Sequence, residues 1–87
     1  MLTRSEVMYT EEIREILAKH ARLAVDVKEL ADNSNLYQAG LTSLTTVNLM
    51  LAIEDHFDIE FPDSLLGRNT FGSIEAISEA VEEVLNS

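Results

Sequence analysis

The 87-residue chain contains no cysteine and no tryptophan, one proline, three glycines and only six lysine or arginine residues. Without cysteine it has no disulfide, no cysteine-ligated zinc site and no thiol nucleophile of its own, and nothing indicates an oxidising compartment. Its apolar runs are short, and residues 1–10 contain Arg4 and Glu6 but no apolar signal-peptide core. We therefore expect neither a membrane span nor secretion, and we predict a cytoplasmic protein.

The length allows one domain, close to the size at which a core must be well packed to outweigh conformational entropy. A large active-site cleft does not fit such a domain, so the size favours a binding or carrier module over an enzyme. We predict a single monomeric domain at residues 10–87, preceded by a flexible N-terminus at residues 1–9.

Negative charge is concentrated in the second half of the chain. The formal net charge is -10, and residues 31–87 contain ten acidic residues against a single cation, Arg68. Such a field repels nucleic-acid phosphates and anionic lipids, and it attracts partners that present a basic patch. A surface that is acidic only for solubility is an equally good interpretation of the charge alone. We expect no nucleic-acid partner and no membrane partner.

The spacing of apolar residues predicts an all-α fold. The first helix is expected at residues 10–24, with Thr10 as its cap, and a long ordered loop at residues 25–41 follows it. Gly40 marks the end of that loop. The expected anchors of the loop are Val25, Val27, Leu30, Leu36, Tyr37 and Leu41.

The second half of the chain predicts two further helices and one short turn. The second helix is expected at residues 43–56, and a short helical turn runs from Asp63 to Leu66 and stops at Gly67. Ser73 is the expected cap of the last helix. The predicted buried stripe of that helix is Ile74, Ile77, Val81, Val84 and Leu85.

Two opposite faces of the second helix are apolar, and a domain of this size covers only one of them well. The face expected in the core consists of Thr46, Leu49, Met50, Ile53 and Phe57. The strip expected to be exposed to a partner consists of Leu44, Val47, Asn48, Leu51 and Asp55. Leu41 and Thr42, just before the helix, extend this predicted partner surface. The alternative is a central helix with both faces buried.

Ser43 begins the second helix, and three interpretations compete for it. Ser43 or Thr42 is the helix cap; or Ser43 is a catalytic nucleophile; or another enzyme modifies it covalently, with the positive end of the helix favouring a phosphate ester. The nucleophile is improbable because a serine nucleophile needs an oriented base, and His20 and His56 are the only imidazoles. The G-x-S-x-G motif is also absent.

The segments GLTSL at residues 40–44, IEDHFDIEFP at residues 53–62 and TFGSI at residues 70–74 resemble the acyl carrier proteins. The resemblance covers nearly all of the chain from residue 11. It implies an acyl-carrier-protein-like four-helix bundle, right-handed, with three main helices, one short helix and a long first loop. It also implies that Ser43 carries covalent 4′-phosphopantetheine from coenzyme A, whose terminal thiol holds cargo as a thioester. The implied partners are a phosphopantetheinyl transferase, a cargo-loading ligase and a downstream acyl- or aminoacyl-accepting enzyme.

The chain differs from the usual pattern of the family at three positions beside the serine. Thr42 stands where Asp is usual, and Thr45 and Asn48 stand where acids are usual, so three negative charges are missing there. These differences indicate partners other than those of ordinary fatty-acid carriers. The form Ala39-Gly40-Leu41-Thr42-Ser43 on a short free-standing chain resembles that of specialised bacterial carriers. We expect a discrete aminoacyl carrier, loaded with glycine or alanine by a ligase that resembles a truncated class II tRNA synthetase. The alternative cargoes are fatty-acid, polyketide and peptidyl intermediates.

Other classes of site are less well supported. Asp58, Glu60 and Asp63 lack the order and the central glycine of a calcium loop. His20 and His56 lack the spacing of a zinc pair; we expect His20 on the apolar stripe or rim of the first helix and His56 at the C-terminal end of the second. The remaining alternative is an unmodified helical interaction module in which Ser43 is only a cap.

Overall fold

The computed structural model describes residues 4–21 and 23–86, with side chains from Tyr9 onward. Three α-helices form the domain: α1 at Arg4–His20, α2 at Ser43–Phe57 and α3 at Ile74–Leu85. Short 3-10 turns lie at Val27–Glu29, Asp63–Leu65 and Arg68–Phe71. The described residues include no strand, so the predicted all-α fold with three main helices is confirmed.

The predicted bounds of the first helix, residues 10–24, are wrong at both ends. Thr10 lies inside α1, because no glycine or proline interrupts the preceding turn and Tyr9 packs edge-on against Phe57, with ring centroids 5.6 Å apart. After His20 the chain leaves the helix so that the Ala24 N–H can donate to the Ala39 carbonyl at 2.7 Å. The flexible N-terminus predicted at residues 1–9 stays a prediction. Residues 1–3 lie outside the described residues, and residues 4–9 form the first part of α1.

The long loop at residues 25–41 is ordered, as predicted, and hydrogen bonds join it to α1 and to the residues that lead into α3. Arg14 of α1 donates to the Val27 carbonyl at 2.9 Å and to the Asp32 carboxylate at 2.7 Å. On the other side, the Leu36 N–H donates to the Gly72 carbonyl at 2.8 Å, directly before α3. The loop side chains that pack into or against the core are Val27, Leu30, Leu36, Tyr37 and Leu41. Val25 is exposed, so its predicted role as an anchor is wrong.

The core is formed by the facing stripes of the three helices. Apolar spacing of three and four residues brings these side chains to one side of each helix. The fully buried side chains of this stripe set are Ile13, Leu17, Leu49, Ile53, Ile74, Ile77 and Val81. Ser73 caps α3 as predicted, with its hydroxyl accepting from the Ala76 N–H at 3.0 Å. Leu85 was predicted in the stripe but is exposed, because it is the last residue of α3 and lies beyond the packed part of the core.

The segment between α2 and α3 contains two short turns in place of the single predicted one. Asp58 ends α2 in the left-handed conformation, with φ 56°, and its N–H donates to the Glu54 carbonyl. The Glu54 carboxylate then accepts from the Phe61 N–H at 2.7 Å. These bonds direct the chain back so that the turns Asp63–Leu65 and Arg68–Phe71 lead into α3. Phe71, 2 % exposed, anchors the second turn in the core.

None of the helices in the described part of the chain combines the length and the apolar character that a membrane span needs.

Candidate functional site

Ser43 is the first residue of α2, and its side chain is exposed. The cap of this helix is Thr42: its hydroxyl accepts from the Thr45 N–H at 3.2 Å, and the Thr45 hydroxyl accepts from the Thr42 N–H at 2.9 Å. This reciprocal pair satisfies two backbone donors at the start of the helix. Among the described residues the Ser43 hydroxyl has no hydrogen-bond partner. The structure therefore assigns capping to Thr42 and leaves the Ser43 hydroxyl available.

The start of α2 is suited to an anionic group. The N–H groups of the first turn have no acceptor four residues earlier within the helix, and the helix dipole places partial positive charge there. No acidic residue lies in the first turn, so nothing in the helix sequence offsets that charge. A phosphate ester on Ser43 would thus lie in a favourable field.

Gly40 and Leu41, which lie three and two residues before Ser43, hold the turn that presents it. Gly40 has φ 116°, a conformation that side chains with a Cβ rarely adopt, and a Cβ there would lie 2.9 Å from the Ala24 nitrogen. Leu41 is 5 % exposed and belongs to the core. Its predicted place on the partner surface is therefore wrong. The sequence alone could not show whether Leu41 lies in the core or on the partner surface, because Leu41 directly precedes an exposed stretch.

A surface cleft of about 190 Å³ lies beside Ser43. The residues that line it come from α2, the long loop and the turn Arg68–Phe71, and they include Thr46, Tyr37 and Arg68. The sequence predicted Tyr37 only as a loop anchor and gave no site role to Arg68. The one available signal was that Arg68 is the sole cation of residues 31–87.

α2 exposes one of its two apolar faces. Leu44, Val47 and Leu51 are 72 %, 49 % and 53 % exposed, whereas Leu49 and Ile53 are fully buried. The alternative of a helix buried on both faces is therefore wrong. The polar members of the strip, Asn48 and Asp55, are exposed as well. Their contact with a partner, and that of Thr42, stays a prediction.

The cap of α2 gives a direct test of this local geometry. We expect Thr42→Ala to lower the free energy of unfolding by about 1 kcal/mol, because the first turn loses the side-chain acceptor of its Thr45 N–H. Thr42→Asp keeps an acceptor and adds the charge that helix starts favour, so it should retain wild-type stability. Urea denaturation followed by circular dichroism measures both. Equal stability of the alanine and wild-type proteins would contradict the assignment of the cap.

Histidines and acidic clusters form no competing site within residues 4–21 and 23–86. That part of the chain has no group of three or more potential metal ligands. His56 lies in the last turn of α2, with its Nε2 2.6 Å from the Glu12 carboxylate. A position thirteen residues along a helix is about 20 Å from its start, so His56 cannot act as a base for Ser43. His20 is exposed rather than part of the α1 stripe.

The chain is similar to known carrier proteins along most of its length. The family model described as "Phosphopantetheine attachment site" matches residues 11–85. The chain is 54% identical to an aminoacyl carrier protein of Agrobacterium fabrum over 74 residues, which cover 85% of this chain and 89% of the relative. It is 38% identical to a D-alanyl carrier protein of Streptococcus mutans over 63 residues, covering 71% of this chain and 78% of that relative.

A solved structure extends the similarity to three dimensions. It contains a carrier protein from Agrobacterium tumefaciens in complex with an engineered Bradyrhizobium japonicum glycine:[carrier protein] ligase and ATP. The match has a TM-score of 0.84 at 51% sequence identity and covers 87% of this chain and 99% of the matched chain. The chain therefore belongs to the family of carrier proteins with a phosphopantetheine attachment site, and its relatives place it with the aminoacyl carrier proteins.

Proposed function

We propose that Ser43 carries 4′-phosphopantetheine through a phosphodiester, and that the protein holds a small amino acid, glycine in the first instance, as a thioester on that arm. When bound, the group supplies the terminal thiol that the cysteine-free chain lacks. The observation that carries the proposal is the exposed Ser43 hydroxyl, which begins α2 while Thr42 performs the capping.

The residues around Ser43 fit such a group. Its hydroxyl is accessible to a transferase, the first turn of α2 favours the negative charge of a phosphodiester, and the adjacent cleft gives space for the proximal arm. A phosphopantetheinyl transferase would join the serine oxygen to the phosphorus of coenzyme A that bears the pantetheine. Adenosine 3′,5′-bisphosphate would leave, and the hydroxyl proton would pass to a base of the transferase or to solvent. The carrier itself contributes no catalytic group to this step.

The cargo proposal rests on the relatives. The solved carrier is bound to a glycine:carrier protein ligase with ATP, and the Streptococcus relative is named a D-alanyl carrier protein. Both cargoes are small amino acids. We therefore propose an ATP-dependent ligase as the loading partner and an aminoacyl-accepting enzyme downstream, and the cytoplasm, where ATP is available, as the place of loading.

The exposed strip of α2 is the proposed surface for the loading ligase. Leu44, Val47 and Leu51 present apolar area along the side of the helix that begins at Ser43. Asp55 is the only acidic member of the strip, and it lies three turns from the serine. A ligase that binds this strip needs an apolar surface of complementary shape more than it needs a basic patch.

We expect the protein modified by a phosphopantetheinyl transferase to gain the mass of one glycyl group when it is incubated with a glycine:carrier protein ligase, glycine and ATP. Hydroxylamine, which cleaves thioesters, should remove that gain. Intact-mass spectrometry follows each step. Loading with fatty acyl groups alone would reject the aminoacyl proposal, and D-alanine alone would replace glycine as the cargo.

Two leucine substitutions test the proposed ligase surface. Leu51→Asp should lower the rate of glycyl loading at least tenfold, because a charge in an apolar contact must be desolvated. Leu85→Asp is the matched control, since this leucine of α3 is similarly exposed, at 42 %, but lies outside the strip. It should load at the wild-type rate. Equal rates for the two variants would remove the strip from the ligase interface.

A further inference from the structure

Arg68 shares the cleft of about 190 Å³ with Ser43, although 25 residues separate them in the chain. The long loop contributes Tyr37 to the same cleft, and α2 contributes Thr46. Three parts of the fold thus converge beside the attachment serine. The only one of these side chains with a full charge is Arg68.

The guanidinium group of Arg68 is held in position by Tyr37. Its central carbon lies 3.8 Å from the centroid of the tyrosine ring, which is a close cation–π contact. The Tyr37 hydroxyl donates to the Arg68 backbone carbonyl at 2.9 Å. The ring itself packs against the hydrophobic core. Both ends of Arg68 are therefore tied to a side chain that the core fixes.

Arg68 has no carboxylate partner among the described residues, where Arg14 pairs with Asp32 and the His56 ring contacts the Glu12 carboxylate. This is notable because residues 31–87 contain ten acids. A ring face occupies one side of the guanidinium group and leaves its N–H donors at the edge available. A planar guanidinium group of this kind binds phosphate oxygens with paired hydrogen bonds.

We propose that Arg68 binds the phosphodiester on Ser43, so that the proximal part of the arm lies in the cleft and the distal, cargo-bearing part extends into solvent. This inference rests on the proposed modification of Ser43. The chemistry of the two ends of the arm decides the orientation. The phosphodiester is an anion, whereas an aminoacyl thioester carries a protonated amine that Arg68 repels.

The size of the cleft agrees with that orientation. Pockets that hold a complete small molecule are about 300–1,000 Å³, so a cleft of about 190 Å³ accommodates only part of the arm. Leu66, which is 43 % exposed at the cleft, offers apolar contact to the methyl groups next to the phosphate. Arg68 is thus a positioning residue for the arm and touches no reacting atom.

Phosphorus NMR of the modified protein tests this assignment. At low salt, the phosphorus resonance of the wild type should differ from that of a phosphopantetheinylated peptide spanning residues 40–48. Arg68→Ala should move the resonance most of the way to the peptide value, and Arg68→Lys should restore part of the difference. High salt should also reduce the difference, because the contact is exposed. Lys19→Ala removes an equal charge from the end of α1 and should leave the resonance unchanged.

The proposal is overturned if the phosphorus resonance is the same in the wild type and in Arg68→Ala while mass spectrometry shows the arm on both. That outcome leaves the modification of Ser43 intact. Absence of the arm from the wild type would instead reject the proposed function and this inference with it. Circular dichroism confirms the fold of each variant, and Arg68→Gln, which keeps the stem over Tyr37 without the charge, provides the same comparison if the alanine variant unfolds.

Discussion

Ser43→Ala is expected to abolish phosphopantetheine attachment completely. Incubated with coenzyme A and a phosphopantetheinyl transferase, the wild-type protein should gain the mass of one arm, and the variant should gain none. The reason is chemical, since alanine has no oxygen to form the phosphodiester. Intact-mass spectrometry measures the mass gain directly. Without the arm, no ligase should load cargo onto the variant.

The same substitution should leave the fold intact, because Thr42 caps α2 and the Ser43 side chain is exposed. We expect a change in the free energy of unfolding within about 0.5 kcal/mol. Ser64→Ala is the matched control, since Ser64 is also an exposed serine in a short turn. It should accept the arm at the wild-type rate. A mass gain in Ser43→Ala would show that the attachment residue lies elsewhere in the chain.

Gly40→Ala is expected to lower the free energy of unfolding by about 2–4 kcal/mol. The backbone of Gly40 has φ 116°, and an added Cβ would lie 2.9 Å from the Ala24 nitrogen. That nitrogen donates to the Ala39 carbonyl at 2.7 Å, so relief of the clash weakens the bond that joins the end of α1 to the serine turn. The free energy of unfolding of a native protein is only about 5–15 kcal/mol in total, so this loss would be a large part of the stability.

The chain provides a control for this glycine. Gly67 has φ -79°, and a Cβ there would meet nothing within 4 Å. Gly67→Ala should therefore have wild-type stability or slightly more, because alanine reduces the conformational entropy of the unfolded chain. Urea denaturation of both variants gives the comparison. Equal effects at the two glycines would show that the positive φ of Gly40 contributes no strain.

The sequence predicted α2 and the division of its faces well. Apolar residues recur on two sides of this helix, and the bulkier side became the core, with Leu49 and Ile53 fully buried. Because no glycine or proline interrupts the helix, its predicted bounds differ from the observed ones by only one residue, Phe57. Local rules are sufficient where spacing and side-chain volume give the same answer.

Tertiary contacts explain the predictions that failed. Thr10 followed by two glutamates has the pattern of a helix start, yet the packing of Tyr9 on Phe57 keeps the preceding residues in α1. In the sequence, Leu41 lies close to leucines that are exposed. It is buried because the loop packs against the core at this point. Neighbouring residues in the sequence reveal neither the Tyr9–Phe57 contact nor the burial of Leu41.

The cleft of Ser43 shows the same limit for the site. The resemblance of residues 40–44 to a known motif predicts Ser43 as the attachment residue, and it can do so because that signal is local. Arg68 and Tyr37 come from segments far from Ser43 in sequence, and their contact at 3.8 Å depends on the closure of the long loop onto the turn before α3. An isolated cation in an acidic segment indicated an unusual residue without indicating its location.

The division of roles between Thr42 and Ser43 bears on the order of events during maturation. Since the cap of α2 uses Thr42 and Thr45, the start of this helix is capped without any contribution from the Ser43 hydroxyl. We therefore expect the chain to fold without the arm, so that the proposed transferase acts on a finished helix rather than on a disordered segment.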